Sequence, residues 1–138
     1  METRYKIQFG EMILADDKPF LIAEAGVNYE NDINMALRYV EEAAASGADA
    51  IKFQSYKAET LASKYSPSYW DTAKEPTGSQ YDLFKKYDHF NMPEYRQLAE
   101  RARACGIHFM STPFDFQFID DLNKLMPAYK IASADINN

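Results

Sequence analysis

The chain has 138 residues, of which 46% are hydrophobic and 26% are charged, and its formal net charge is −6. This length is enough to bury the core of about one domain, and the composition is that of a globular protein without low-complexity tracts. The negative charge argues against nucleic acid or an anionic membrane surface as a partner, and no apolar run approaches the roughly 20 residues of a membrane span. A single cysteine, Cys105, excludes an internal disulfide framework and is typical of a reducing cytoplasm.

The N-terminal residues precede the core of the predicted fold. Residues Ile7 to Ile13 predict a short strand or one arm of a hairpin, and Asp16-Asp17-Lys18-Pro19 predicts a turn. Residues 1–19 are therefore expected to form an N-terminal arm. The first core strand is predicted at Phe20 to Ala25.

Helices and strands alternate after this strand. Apolar residues at helical spacing predict a helix from about Asp32 to Ser46, and Gly47 ends it. The second strand, Ala50 to Ser55, follows directly. The segment Tyr56 to Ser79 is long, aromatic and without periodicity, which favours an ordered, functional loop. A short helix is predicted from about Gln80 to Tyr87.

The alternation continues in the rest of the chain. Asn91 and Glu94 have the spacing of a capping box, which predicts a helix through Cys105 that Gly106 ends. The third strand is predicted at Ile107 to Ser111.

The last predicted elements complete the pattern of an α/β fold. Asp115 is predicted to cap a helix that Pro127 ends, and a fourth strand is predicted at Ala128 to Ser133. A (β/α)8 TIM barrel needs eight βα units and about 250 residues, so this chain would supply about the first four units. A small doubly wound sheet is the alternative, but Ala25-Gly26-Val27-Asn28 lacks the G-x-G-x-x-G pattern of its phosphate-binding turn.

Polar side chains recur where the predicted strands end: Glu24, Lys52, Gln54, Thr112, Lys130 and Ser133. Parallel strands in a barrel point the same way, so these side chains should converge on one face. Since a lysine is rarely buried without a partner or ligand, Lys52 and Lys130 could bind a carboxylate and a phosphate of a small substrate. A structural role is the alternative: Glu24 could simply neutralise Lys52. Ser111-Thr112-Pro113 could likewise be only a turn with capping hydroxyls.

Four runs of the sequence carry a family resemblance: Ile22-Ala23-Glu24-Ala25-Gly26-Val27-Asn28, Gly47-Ala48-Asp49-Ala50-Ile51-Lys52-Phe53-Gln54, Met110-Ser111-Thr112-Pro113-Phe114-Asp115 and Tyr129-Lys130-Ile131-Ala132-Ser133. In this order and spacing they resemble the N-acetylneuraminate (sialic acid) synthase family, which includes legionaminate and pseudaminate synthases and spore-coat polysaccharide relatives. The resemblance extends from about residue 20 to the last residue.

The resemblance implies a fold and an activity. Members of this family have a TIM barrel followed by a small antifreeze-like domain, so residues 20–138 are expected to be the N-terminal half of the barrel. They condense phosphoenolpyruvate with the open aldehyde form of an N-acylated amino sugar, such as N-acetylmannosamine, and release phosphate. They use a divalent metal, typically manganese, whose ligands are expected outside this chain, and the intact parent is expected to be a homodimer. The 138 residues alone are expected to be inactive.

The resemblance also implies roles for individual residues. The residues expected to bind substrate are Lys52, Thr112, Lys130, Ser133 and Asn28. The residues expected to act in catalysis are Glu24, Lys52, Gln54 and Asp135, the last at a position where relatives commonly carry glutamate. The loop Tyr29-Glu30-Asn31 departs from the family pattern, so the accepted aldose is not predicted.

Two other functions are consistent with the same residues. A class I aldolase would use Lys52 or Lys130 to form a Schiff base with a carbonyl substrate. A non-catalytic half-barrel would instead act as a binding or assembly module through homodimerisation. His89 and His108 show no metal-ligand spacing, so no residue of the chain is predicted to bind a metal.

Overall fold

An antiparallel hairpin comes first in the computed structural model, which describes residues 6–15 and 18–137. Its strands are β1 (Lys6–Phe9) and β2 (Met12–Ala15). The segment predicted as a strand or a hairpin arm therefore contributes to both strands of a hairpin. Residues 1–5 of the predicted arm, and Asp16 and Asp17 of the predicted turn, lie outside the described residues.

A parallel sheet forms the centre of the fold, with three strands in the described part of the chain. These strands are β3 (Ile22–Gly26), β4 (Ala50–Ser55) and β5 (His108–Pro113), and β4 lies in the middle. β4 has the predicted bounds, whereas β3 and β5 begin two residues and one residue later than predicted. The prediction of an α/β fold with a parallel sheet is confirmed.

Helices connect these strands: α1 (Ile33–Ala45), α2 (Ala58–Leu61), α3 (Gln80–Tyr87), α4 (Met92–Ala104) and α5 (Ile119–Leu122). The helices α1, α3 and α4 agree with the predicted helices to within one residue at each end. Asp32 caps α1 by accepting a hydrogen bond from the backbone N–H of Asn34 at 2.8 Å. Glu94 accepts from the backbone N–H of Asn91 at 2.8 Å, as the predicted capping box requires. No helix of residues 6–15 and 18–137 is both long enough and apolar enough to span a membrane.

The helix predicted from Asp115 to Pro127 is present only in part, and its length and its cap are wrong. A 3-10 turn at Phe116–Phe118 leads into the short α5, which ends at Leu122, and the Asp115 side chain makes no capping bond. The carboxylate of Asp115 instead accepts hydrogen bonds from Lys57 and Thr60, which lie far away in the sequence. The Asp115 carboxylate thus forms a tertiary contact instead of capping the helix that follows it.

The predicted fourth strand, Ala128 to Ser133, is also wrong. Residues 128–132 form no strand, and Ser133–Asp135 form a 3-10 turn. The segment meets β5 where the backbone N–H of Lys130 donates to the carbonyl of Ser111 at 3.5 Å. A parallel ladder needs evenly repeated bonds, so one long bond does not make a strand.

The two faces of the sheet differ because side chains alternate along each strand. On one face, Ile51, Phe53 and Phe109 are buried against α1 and α4 in the main hydrophobic core. On the other face, Phe9 of the hairpin packs against Ala50, the first residue of β4. The C-terminal ends of the strands on this second face carry polar side chains.

Candidate functional site

Glu24 and Lys52 form an ion pair across two neighbouring strands of the parallel sheet. They lie opposite each other in the register of β3 and β4, and Glu24 Oε2 contacts Lys52 Nζ directly. The Lys52 side chain is 12% exposed, whereas the Glu24 side chain is 54% exposed. Removing a charge from water is costly unless a partner offsets it, so Glu24 stabilises a nearly buried ammonium while remaining open to solvent.

Gln54 and Thr112 lie on the same face as this ion pair. Gln54 is two residues beyond Lys52 on β4, and its side chain therefore lies on the same side of the sheet. Thr112 is buried and lies opposite Gln54 in the register of β4 and β5. The strand-end cluster, defined as Glu24, Lys52, Gln54 and Thr112, thus combines a carboxylate, an ammonium, an amide and a hydroxyl at the C-terminal ends of parallel strands.

Gly26 ends β3 beside the strand-end cluster. Its φ is 56°, a left-handed conformation that glycine adopts without the steric cost of a side chain. A Cβ atom at this position would lie 3.7 Å from Glu24 Oε1 and 3.9 Å from Gln54 Nε2. The glycine therefore keeps the space between the carboxylate and the amide free of a side chain.

Four other predicted site residues lie apart from the strand-end cluster: Asn28, Lys130, Ser133 and Asp135. Lys130 and Ser133 are exposed, and Lys130 Nζ donates to the carbonyl of the next residue. The backbone bond to Ser111 nevertheless places Lys130 beside β5, near Thr112. Asp135 is half-buried in its 3-10 turn, and Asn28 is exposed. Within residues 6–15 and 18–137, no hydrogen bond or ion pair joins these four residues to the strand-end cluster.

A second group of polar contacts, around Lys57 and Asp115, was not predicted as part of a site. Lys57 Nζ donates to the backbone carbonyls of Asp88 at 2.6 Å and Phe90 at 2.9 Å. Asp115 Oδ2 accepts from the backbone N–H of Lys57 at 3.1 Å and from the Thr60 hydroxyl at 2.8 Å. These contacts join the loop after β4 to the loop after β5 and to the segment before α4.

Asp115 also carries an unsatisfied acceptor. Its Oδ1 atom is buried and has no hydrogen-bond partner among the described residues. Buried polar atoms are nearly always paired, so this oxygen is a natural position for a donor that the described residues do not supply. The sequence contains a signal that marks Asp115 as a possible site residue, because Asp115 follows the strand end that carries Thr112.

Buried hydroxyl groups lie behind the strand-end cluster, on the helix-facing side of the sheet. Ser55 Oγ and Ser111 Oγ are 2.6 Å apart, and the Tyr95 hydroxyl donates to the carbonyl of Gln54 at 3.1 Å. Burial raises the pKa of Tyr95 to about 12 and also raises the pKa of the neighbouring Tyr29. Both phenols therefore keep their protons near neutral pH, and the Tyr95 hydroxyl acts as a hydrogen-bond donor.

A cleft of about 500 Å³ opens along β3, between that strand and α1. It is largely apolar, with Glu24 and Asn28 among its lining residues. Leu21 and Ile22, at its rim, are 54% and 43% exposed. Because β3 has a partner on one side only among the described strands, this cleft is an uncovered apolar edge of the sheet.

A metal ion does not fit the residues that the structure describes. In residues 6–15 and 18–137, no group of three or more His, Cys, Asp or Glu side chains could hold one. The strand-end cluster contains a single carboxylate, and an ammonium already contacts it. No catalytic step is therefore assigned to a metal here.

Comparisons with known proteins give this site a family context. The NeuB family model matches residues 39–138. The chain is 40% identical to the N,N'-diacetyllegionaminic acid synthase of Campylobacter jejuni over 88% of this chain and 37% of that relative. It resembles the crystal structure of N-acetylneuraminic acid (sialic acid) synthetase from Leptospira borgpetersenii, with a TM-score of 0.75 and 36% identity over 97% of this chain and 43% of the other. The chain thus spans less than half the length of either protein.

A more distant structure shares the fold alone. The phospho-2-dehydro-3-deoxyheptonate aldolase of Thermotoga maritima is 12% identical with a TM-score of 0.62, and covers 97% of this chain and 32% of the other. The match to the family model covers most of the sequence, and it confirms the predicted kinship with the sialic, legionaminic and pseudaminic acid synthases. This chain belongs to the NeuB family.

Proposed function

We propose that this chain is the first half of the catalytic barrel of a nonulosonic-acid synthase, which condenses phosphoenolpyruvate with an N-acylated amino-sugar aldose and releases phosphate. The observation that carries the proposal is the strand-end cluster, in which a nearly buried Lys52 is paired with Glu24. Barrel enzymes bind their substrates at the C-terminal ends of the strands, where this cluster lies. The relatives of this chain include synthases of legionaminic and sialic acids, which supports the assignment.

Lys52 and Thr112 would bind one anionic group of phosphoenolpyruvate. The ammonium of Lys52 has three donor hydrogens, so contact with Glu24 leaves others free for a carboxylate or phosphate oxygen. The hydroxyl of Thr112 lies on the next strand of the same face and can add a further donor. Charge-assisted hydrogen bonds of this kind are about twice as strong as neutral ones.

Lys130 would supply the second cation that a substrate with both a carboxylate and a phosphate requires. Its backbone lies beside β5, and its side chain is exposed and free to leave the carbonyl that it contacts. Ser133 and Asn28 would add polar contacts to the same substrate. This part of the site would form only when the segment after α5 closes on the strand ends.

Glu24 and Gln54 would face the sugar. Both groups flank Gly26, where no side chain fills the space. A carboxylate accepts hydrogen bonds from sugar hydroxyls, and an amide both donates and accepts, so the two together can orient an aldose.

The proposed reaction forms one carbon–carbon bond and breaks one carbon–oxygen bond. The π electrons of phosphoenolpyruvate form the bond to the aldehyde carbon, and the aldehyde oxygen takes a proton and becomes a hydroxyl. Water then adds to the carbon that carries the phosphate, loses a proton, and phosphate leaves with its bridging oxygen to give a ketone. Asp135, half-buried in the turn after Lys130, would orient the sugar or transfer one of these protons.

The rest of the proposed protein follows the family. Residues 20–138 would form the N-terminal half of a (β/α)8 barrel, with β3, β4 and β5 as three of its strands and residues 1–19 as an N-terminal arm. The uncovered apolar edge of β3 supports this arrangement, because a closed barrel would pair that edge with a later strand. An antifreeze-like domain, a manganese site, a homodimer and a cytoplasmic location are proposed from the family resemblance alone.

The two other functions lack a specific observation in their favour. A Schiff base requires a neutral amine, whereas Lys52 is engaged in an ion pair with Glu24. A non-catalytic assembly module would not need a polar cluster at the strand ends. Borohydride reduction in the presence of pyruvate separates the first of these functions from the synthase, because only an aldolase would retain a covalent adduct.

Phosphate release by the full-length protein that contains this chain tests the proposal. We expect release from phosphoenolpyruvate only when an N-acylated amino-sugar aldose is added, and a fall of roughly 100-fold or more in Lys52→Ala. Lys124→Ala is the matched control, because Lys124 is an exposed lysine that pairs with Asp121 on the surface. Release that needs no aldose, or that Lys52→Ala retains, would contradict the proposal.

A further inference from the structure

The backbone carbonyl of Gln54 points to a place that the sheet leaves without a partner. Successive carbonyls of a strand point to opposite sides, and the carbonyl of Ser55 accepts from Phe114, on the β5 side, at 3.0 Å. The carbonyl of Gln54 therefore points to the β3 side. There the register ends at Gly26, opposite Phe53, and the backbone N–H of Asn28 donates to the carbonyl of Ala25, within its own turn, at 3.1 Å.

Tyr95 supplies the donor that this carbonyl needs. Its hydroxyl donates to the Gln54 oxygen at 3.1 Å, and the residue is only 2% exposed. Tyr95 lies in the first turn of α4, and its ring packs edge-on against Phe90 at 6.1 Å and Phe118 at 5.7 Å between centroids. The hydroxyl is therefore held in place by a ring with little freedom to move.

Ser55, the residue after Gln54 on β4, is fixed by a contact with β5. Ser55 and Ser111 are completely buried, and their hydroxyl oxygens are 2.6 Å apart across β4 and β5. The end of β4 is thus held on one side by α4 and on the other by β5. A fully satisfied buried network of this kind fixes one arrangement of the groups it joins.

We infer that Tyr95 is a positioning residue for Gln54 and that its hydroxyl holds the end of β4 so that the Gln54 amide meets the sugar. The inference rests on the proposed function. The side chains of Gln54 and Lys52 lie on the same face of β4, but the bond from Tyr95 is to Gln54 itself. Loss of this hydrogen bond should therefore weaken the binding of the sugar more than the binding of phosphoenolpyruvate.

Tyr95→Phe in the full-length protein tests this assignment, because it keeps the ring and removes only the hydroxyl. We expect the KM for the aldose to rise about fivefold, which is the effect expected from the loss of one hydrogen bond. The KM for phosphoenolpyruvate should change little. Tyr129→Phe is the matched control, since the Tyr129 hydroxyl also donates to a backbone carbonyl, that of Ile119, at 2.9 Å. The control should lose stability to a similar degree without a rise in the KM for the aldose.

A double-mutant cycle separates positioning from a general loss of structure. If Tyr95 acts through Gln54, adding Tyr95→Phe to Gln54→Ala should produce no further rise in the KM for the aldose. Additive effects, equal rises in both KM values, or an unchanged KM for the aldose would overturn the inference. If Tyr95→Phe does not fold, Ser111→Ala loosens the same strand end from the β5 side and must then give the same selective rise.

The wild-type protein separates this inference from the proposed function. Absence of aldose-dependent turnover in the wild type would refute the proposed function itself. Turnover in the wild type, together with a Tyr95→Phe variant that matches the control, would refute only the role of Tyr95.

Discussion

Replacing Glu24 with glutamine tests whether its carboxylate competes with an anionic substrate for Lys52. The substitution keeps the size of the side chain and removes its negative charge. In the structure Glu24 Oε2 contacts Lys52 Nζ, so an anion bound to Lys52 would lie close to a like charge. We therefore expect Glu24→Gln to bind phosphoenolpyruvate more tightly in the absence of sugar.

The size of this effect follows from exposure and distance. The Glu24 side chain is 54% exposed, so solvent screens its charge and a water-like dielectric is appropriate. Two like unit charges about 4 Å apart then repel each other by about 1 kcal/mol. This repulsion corresponds to a decrease of about fivefold in the Kd for phosphoenolpyruvate. The kcat should fall in the same variant, because the sugar loses a carboxylate acceptor.

Calorimetric titration of the full-length protein measures this Kd. The gain in affinity should shrink as salt is raised, since the screening length shortens from about 10 Å at 0.1 M to about 3 Å at 1 M. Glu42→Gln is the control, because Glu42 forms an exposed pair with Arg38 at 3.3 Å on α1. An unchanged or weaker affinity in Glu24→Gln would refute the reasoning and would mean that Glu24 mainly holds Lys52 in position.

Two further predictions concern stability. Burial raises the pKa of Tyr95 from 10.0 to about 12. Between these two values the unfolded chain loses a proton that the folded chain keeps. The contribution of Tyr95 to the free energy of unfolding is therefore complete below about pH 10 and is lost as the pH rises through about 12. Urea unfolding at about pH 8 and about pH 11 should show this loss, and equal stability at both would contradict it. Gly26→Ala should reduce the free energy of unfolding by about 1 kcal/mol because its φ is 56°, and a neutral or stabilising effect would show that this backbone conformation carries no strain.

The alternation of strands and helices could be predicted from the sequence because local signals and tertiary packing agree there. β4 and α3 have the predicted bounds, and the capping box before α4 is present as expected. These elements carry strong local signals, namely an apolar run between stop signals or a cap followed by helical spacing. Strand-end polar residues also predicted the strand-end cluster, because parallel strands bring such positions to one edge.

Features that depend on a distant partner could not be predicted in this way. The segment from Ala128 to Ser133 has the composition of a strand, but its contact with β5 is one 3.5 Å bond, and a strand is defined by its neighbours. Asp115 resembles a helix cap in sequence, whereas its carboxylate accepts from Lys57 in a distant loop. Tyr95 resembles an ordinary core residue, and only the folded chain shows its hydroxyl at the carbonyl of Gln54.

The fate of the bridging oxygen of phosphoenolpyruvate tests the central claim most directly. The full-length protein is given phosphoenolpyruvate labelled with oxygen-18 at that position, together with the aldose, and the released phosphate is analysed by mass. The proposed reaction breaks the carbon–oxygen bond, so the label should leave with phosphate, and only when the aldose is present. Unlabelled phosphate, or labelled phosphate released without any aldose, would contradict the assignment of this chain to a nonulosonic-acid synthase.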